Sequence, residues 1–542
     1  MNRSISRWLL LAVLTLVIKP ASAQMFDENL QKLQMTWQLI NAFYVDTVNE
    51  QKLTESAIEG MLKTLDPHSA YISADEVKKM NEPLDGSFEG IGVEFNIMND
   101  TLIVVNPISG GPSEKVGIMA GDRIVSVDGE NIAGIGLKNS DVFRLLRGAK
   151  GTEVTLGIKR RGESKVLTFV VVRDKIPIYS VDASYMAADG TGYIRISRFA
   201  MTTNDEFLKA IDKLHKKGLK NLIVDLRGNG GGYLKAAIDI ADQFLEGDKL
   251  IVYTEGLASP KQEYKSTSHG RFKNGNLVIL IDEGSASASE IVSGAVQDWD
   301  RGVIVGRRSF GKGLVQRPFS LPDGSMIRLT VAKYYTPSGR CIQKDYTHGI
   351  RAYQMEVYDR FEDGEVFSKD SVHLADSLIY KTKVLKRTVY GGGGIMPDVY
   401  IPMDTSMYSD YYRDIVAAGV LNRFVLNYVD SHRSTLALDY PDFSYFNSHF
   451  VVDDKLMNEL IAAGEKAGVK KNAEDLAKSE KYLRAQVKAL IARDLWSSSE
   501  YFEVMNPLNN LYRKAVEIAG SKSEYSGVLR PEAKPRLKPR IK

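Results

Sequence analysis

The chain has 542 residues, 44% of them hydrophobic and 26% charged, enough for roughly two to four globular domains that each bury a core. Its 71 Lys and Arg against 68 Asp and Glu leave a formal charge of +3, too balanced over this length for a nucleic-acid surface, so no nucleic-acid partner is expected. The single cysteine, Cys341, excludes an intramolecular disulfide and any multi-cysteine metal framework.

Arg3 and Arg7 precede an apolar run from Trp8 to Ile18 and then Ala21-Ser22-Ala23, the pattern of a secretory signal over residues 1–23. About eleven apolar residues fall short of the roughly twenty a membrane-spanning helix needs. The expected product is therefore exported, periplasmic or extracytoplasmic, with no stable membrane span after cleavage; an uncleaved anchor is the alternative. Residues 24–84 read as an N-terminal helical segment. Leu30, Leu33, Trp37, Ile40 and Phe43, then Leu53, Ile58, Met61 and Leu65, recur at helical spacing until Asp66-Pro67-His68-Ser69 ends the pattern.

Residues 85–176 read as a small β-rich domain, with strands expected at Phe88–Phe95, Leu102–Val105, Val154–Ile158 and Val166–Val172 and an amphipathic stretch at Ser140–Leu146. Gly90-Ile91-Gly92-Val93, together with the block from Gly117 to Gly129 that contains Gly121-Asp122-Arg123-Ile124, resembles a PDZ domain. Glycines there let successive N–H groups turn inward as an anion nest, and the following strand offers an edge to an incoming peptide. Ordinary hairpin turns are the plainer reading of the same glycines.

From 177 to 403 the pattern is α/β. Apolar runs at Leu222–Leu226, Leu277–Ile281 and Val303–Val305 alternate with helical patterns at Asp205–Lys217, Tyr233–Phe244 and Ser287–Asp298. Right-handed crossovers and a largely parallel sheet follow, with active groups at the carboxyl ends of the strands. Residues 345–386 are charged and poorly periodic. Residues 404–542 read as a separate helical domain, with helices at Tyr411–Tyr428, Asp454–Lys466, Ala473–Trp496 and Asn509–Ile518, ending in a solvated basic tail from Arg530 to Lys542.

Three segments fall at those strand ends: Asp225-Leu-Arg-Gly-Asn-Gly-Gly-Gly232, Gly284-Ser-Ala-Ser-Ala-Ser-Glu-Ile291 and Ser309-Phe-Gly-Lys-Gly313. In this order, and with Leu65–Ser69 and Gly391–Asp398, they resemble the carboxyl-terminal processing (tail-specific) serine peptidases from about Tyr44 to Pro402. The resemblance implies a crotonase-like (ClpP/crotonase-type) α/β core behind a PDZ domain. It also implies endopeptidase action on proteins recognised by accessible C-termini, no metal or organic cofactor, and a homodimer through the terminal helices. It places the nucleophile on Ser287, the general base on Lys312 and the residue orienting that base on Gln316. The oxyanion hole falls on Gly231, Gly232 and the N–H of Ala288, and peptide contacts on Gly90, Ile91, Gly92 and Val93.

The chemistry of these residues agrees. A serine hydroxyl needs an adjacent base, and the free N–H groups and dipole of a helix N-terminus favour negative charge beside it. Lysine has an ordinary pKa near 10.4 and becomes a useful base only after a fall of about 3 units, which burial can supply. If Lys312 to Gln316 is extended, the two side chains share a face. Each residue also has a plainer explanation: Ser287-Ala-Ser-Glu290 fits a capping box, Lys312 a solvated charge, and Gly230–Gly232 a strand-to-helix turn. His68 is a rival base better suited to a turn.

Two other functions compete. Residues 306–313, Gly-Arg-Arg-Ser-Phe-Gly-Lys-Gly, nearly match a phosphate-binding loop and suggest an ATPase or GTPase, but Gly313 lacks the hydroxyl that ligates magnesium. The other is a non-catalytic PDZ scaffold.

Overall fold

A computed structural model describes residues 25–372 and 376–531, so the expected signal segment and nearly all of the basic tail lie outside the described residues. The chain divides into two compact units, Met1–Tyr71 and Ile72–Lys542. In the first, α1 (Met25–Phe43) and α2 (Glu50–Leu62) form at the expected periodicity, and Asn49 caps α2 by accepting from Lys52 N at 2.9 Å. Asp66 Oδ1 accepts from His68 N and Ser69 N, which assigns the Asp-Pro-His-Ser segment to a turn. No helix among the described residues is long and apolar enough to cross a membrane.

The second unit opens with α3 (Ala74–Asp85) and β1 (Ser87–Gly90). A five-membered run of strands follows: β2 (Val93–Met98), β3 (Thr101–Pro107), β4 (Arg123–Val127), then, after α4 (Asn139–Leu146), β5 (Glu153–Lys159) and β6 (Leu167–Val172), hydrogen-bonded in the order β2-β3-β4-β5-β6. The stretch from Phe88 to Phe95, expected to be one strand, breaks at Ile91-Gly92. Gly92 has φ +75°, and β1 pairs instead with β7 (Asp174–Pro177). Ile91, Leu102, Val104, Ile124, Val142, Leu156 and Ile158 close the core of this domain. The alternation read from the sequence therefore marks its buried face.

The α/β portion is built on six strands. They are β8 (Val181–Ala188), β9 (Thr191–Ile196), β10 (Asn221–Asp225), β11 (Leu277–Ile281), β12 (Val303–Gly306) and, much later, β15 (Val399–Tyr400), in the order β8-β9-β10-β11-β12-β15. All pairs except β8/β9 are parallel. On one face Ile194, Val224, Ile279 and Ile304 pack with α5 (Thr203–His215), α6 (Leu234–Asp242) and α7 (Ala288–Asp298). A second sheet includes the hairpin 250–265 and the antiparallel pair β13 (Leu314–Ser320) and β14 (Met326–Tyr335). The charged stretch beyond it contains a helix, α8 (Ile350–Glu362), that its weak periodicity did not announce.

Beyond residue 404, Tyr411–Tyr428 is not one helix. It divides into α9 (Asp410–Ala417) and α10 (Val420–Asp439) at Gly419, whose φ of +64° no continuing helix can hold. With α11 (Phe443–His449), α12 (Asp454–Lys466) and α13 (Ala473–Leu495) they share one hydrophobic core. The last helices, α14 (Ser498–Met505), α15 (Asn510–Gly520) and α16 (Lys522–Val528), depart from the separate helical domain expected for 404–542. Leu511, Tyr512, Ala515 and Ile518 of α15 cover Tyr193, Ile223, Val278 and Val303 on the second face of the six-stranded sheet. A sheet apolar on both faces needs two covers, and this segment supplies the second.

Candidate active site

Three loops leave the carboxyl ends of β10, β11 and β12 and are tied to one another by hydrogen bonds. The turn after β11 is fastened to the glycine loop after β10. Asp282 Oδ1 accepts from Gly228 N at 2.8 Å, Ser285 Oγ donates to Leu226 O at 2.8 Å, and Ala286 N and Ser289 Oγ donate to Asn229 O at 3.0 and 2.8 Å. Beneath the glycine loop, the buried Asp225 carboxylate accepts from Tyr193, Arg195 and Arg227. Burial alone would raise its pKa, but the two guanidiniums hold it well below the usual carboxylate range.

Ser287 stands at the N-terminus of α7 with φ 56° and ψ −111°. A capping serine ordinarily takes an extended backbone. A non-glycine residue at this φ carries strain of about 1–3 kcal/mol that its surroundings must impose. Gly231, at φ 103°, lies so close that a Cβ there would sit 2.8 Å from Ser287 Cβ and 3.1 Å from Ala288 N, so only glycine fits. Ala288 N begins the helix and has no intrahelical partner by geometry.

The two expected glycine donors differ from each other. Gly231 N already donates to Asn229 Oδ1 at 2.9 Å. Gly232 forms a parallel bridge with Phe199, in which Gly231 O and Tyr233 N make the bonds, so the Gly232 N–H turns to the opposite side. Gly231 thus supplies close approach, and Gly232 is the donor candidate of the pair.

Lys312 lies in the loop that follows β12, and the fully buried carboxylate of Glu290 anchors it. Oε2 accepts from Ser287 N at 2.7 Å and from Lys312 N at 2.9 Å, while Oε1 accepts from Gly311 N at 2.7 Å and Ser309 Oγ at 2.5 Å. Burial pushes this carboxyl up to about 7 against the pull of its four donors. On the carbonyl side the buried Tyr334 hydroxyl lies 3.1 Å from Ser287 O and also against Lys312 O. Arg360 of α8, only 3% exposed, donates to Ser309 O at 2.8 Å and Phe310 O at 3.1 Å. Lys344 is held between the rings of Phe310 and Tyr353 and paired with Glu356 at 2.8 Å. Sequence reasoning missed Tyr334, Arg360 and Lys344 and read Glu290 only as a capping residue; the one available signal was that capping-box glutamate.

β13 begins at Leu314, so Gln316 lies on the strand and Lys312 in the loop before it; the register shift between Val315 and Gln316 places its extra residue, Val331, on β14. The Gln316 amide donates to Thr330 Oγ1 at 3.3 Å. The phosphate-loop reading fails here: the Gly311 and Lys312 N–H groups end on Glu290, and a strand follows where a phosphate loop needs a helix.

In the domain built on β2–β6, Gly90, Ile91 and Gly92 are buried and Val93 half-buried. Ile91 O accepts from Ser113 N and Oγ, and Gly92 O from Ile108 N. β2 is the edge strand of its sheet, and Phe95 on it meets Phe143 of α4 edge-on at 5.6 Å.

A backbone-strained serine at a helix N-terminus, with a glycine loop against it and a lysine loop tied to its peptide unit, in a chain that also carries a PDZ-type sheet, defines a serine-type peptidase. Residues 190–352 match peptidase family S41 and 103–160 a PDZ domain. Residues 15–76 match the N-terminal domain of the activating protease CtpB, and 411–497 a family of unknown function. The carboxy-terminal processing protease CtpB of Bacillus subtilis is 40% identical over 332 residues, 60% of this chain and 68% of that protein. A protein of Staphylococcus epidermidis named "Probable CtpA-like serine protease" is 38% identical over 324 residues, 59% of this chain and 64% of that protein. Among solved structures, a photosystem II D1 C-terminal processing protease shows 31% identity over 56% of this chain and 88% of its own, with a TM-score of 0.32. The chain belongs to the carboxyl-terminal processing serine peptidases of family S41.

Proposed function

We propose that this protein is an exported endopeptidase that cuts proteins presented by their C-termini through an acyl-enzyme formed on Ser287. Lys312, as the free amine, takes the Ser287 proton while Oγ attacks the scissile carbonyl. The oxyanion faces the N–H groups of Ala288 and Gly232, Lys312 returns the proton to the leaving amine, and it then activates the water that releases the acyl group. Gln316 is read as orienting the lysine from β13. The observation that carries this reading is that the peptide N–H groups of Ser287 and Lys312 meet at a single carboxylate oxygen, 2.7 and 2.9 Å away. The core is read as crotonase-like, its parallel sheet covered on both faces with reacting groups at the strand ends.

The loop Gly90–Val93 is assigned to the substrate's terminal carboxylate and the free edge of β2 to its backbone, because an edge strand beside a helix admits an added strand. Self-association through α1 is part of the proposal, since Leu30, Met35, Leu39 and Phe43 are all exposed along it. The test is cleavage of an unfolded protein, without added nucleotide or metal, with its C-terminus either free or amidated. Cleavage of both, with KM raised about tenfold or more by amidation, is expected. No cleavage of either form contradicts the peptidase proposal, and equal KM values contradict carboxylate capture.

A further inference from the structure

The buried carboxylate at the centre of the site has no part in the proton transfers, yet it touches both residues that make them. We infer that Glu290 is a positioning residue of the reaction, joining the nucleophile's and the base's peptide units through its buried carboxylate so that the two side chains are held at working distance. The inference rests on the Ser287–Lys312 reading and concerns how that pair is assembled.

A carboxylate has about four lone-pair directions. Here Ser287 N, Lys312 N, Gly311 N and Ser309 Oγ fill them, at 2.5–2.9 Å. The donors come from two loops that leave different strands, β11 and β12, so the carboxylate is a cross-link between loops and not merely a helix cap. A capping box accounts for the Ser287 N contact alone; the other three lie 19 to 22 residues further along the chain. Glu290 grips the base by its peptide N–H, so it fixes where the Lys312 backbone enters the site. The carbonyl groups of the same two residues, in the peptide units that follow, are spanned by the Tyr334 hydroxyl, which has one proton to share between Ser287 O and Lys312 O. The nucleophile and base are thus fastened on both their N–H and C=O sides.

The test compares full-length Glu290→Gln, Glu290→Asp, Ser287→Ala and Lys312→Ala on an unfolded protein substrate, with kcat expressed per folded molecule. The amide of Glu290→Gln turns an NH2 toward N–H donors and breaks the cross-link while keeping the shape. Expected is a fall in kcat of about 100-fold with KM within about threefold, since a displacement near 1 Å costs that much. Glu290→Asp, which keeps the charge, recovers part of the loss. A kcat for Glu290→Gln within threefold of the parent, with Ser287→Ala and Lys312→Ala both dead, overturns the inference and leaves the dyad standing. Activity in Ser287→Ala or Lys312→Ala overturns the dyad and the inference with it. Should Glu290→Gln lose its circular-dichroism signature of folding, Ser309→Ala decides. A fall in kcat of about fivefold at unchanged KM supports the role, and an unchanged kcat overturns it.

Discussion

Around Ser287 each backbone segment is tied to at least one other, and all eleven residues of α7 are buried. Along Val93–Met98, by contrast, only Met98 is buried and the strand pairs on one side, with β3. The proposed function asks different things of the two regions. Stabilising a transition state requires donors fixed before the reaction begins, whereas taking in a peptide as an added strand requires unmade hydrogen bonds. The strain at Ser287 is affordable only in the first kind of surrounding.

Substitutions should respect this contrast, and five separate it from the alternatives. Ser287→Ala is expected to lower turnover by at least about 10³-fold with the fold intact, and Lys312→Arg to be equally inactive because guanidinium stays protonated. Both are read from kcat and circular dichroism. Arg360→Ala leaves carbonyls beneath the lysine loop without their donor. We expect kcat to fall by about 10²-fold and denaturant unfolding to report a loss of about 3 kcal/mol.

Gly92→Val sets a branched side chain at φ +75°, where a Cβ already lies 2.8 Å from Ile176 Cδ1. It should cost about 1–3 kcal/mol and raise KM for a long substrate while sparing kcat on a short peptide. An equal loss on both substrates would erase the distinction between the two regions. The smallest effect belongs to Arg123→Ala. Its 2.8 Å pair with Asp430 joins the β2–β6 sheet to α10, but both partners are partly exposed, so less than about 1 kcal/mol is expected in thermal melting.

The sequence made legible what depends on local pattern. Leu277–Ile281 and Asp454–Lys466 are observed with the bounds read from apolar runs and helical periodicity, and α5, α6 and α13 agree to within two residues. The three strand-end segments were legible as candidates because glycine, serine and lysine stand out by type, and the fold brings them into hydrogen-bonded contact.

What stayed hidden depends on distant partners. Glu290 looks like a capping residue until Ser309, Gly311 and Lys312 are seen to converge on it. Arg360 sits in a stretch whose charges gave no period because several of them face inward to loops and to each other. The amphipathic pattern of Asn509–Ile518 showed that one face is buried, but could not say that it is buried against the protease sheet. The extended reading of Lys312–Gln316 covers a strand only from Leu314 onward, because the path of the loop that carries Lys312 is set by the distant carboxylate of Glu290.

The most direct test is to quench a reaction with an unfolded protein substrate and map the acyl adduct by mass spectrometry. The adduct is expected on the peptide containing Ser287, accumulating without nucleotide or metal and disappearing in Ser287→Ala. An adduct on another residue, or hydrolysis undiminished in Ser287→Ala, would contradict the account.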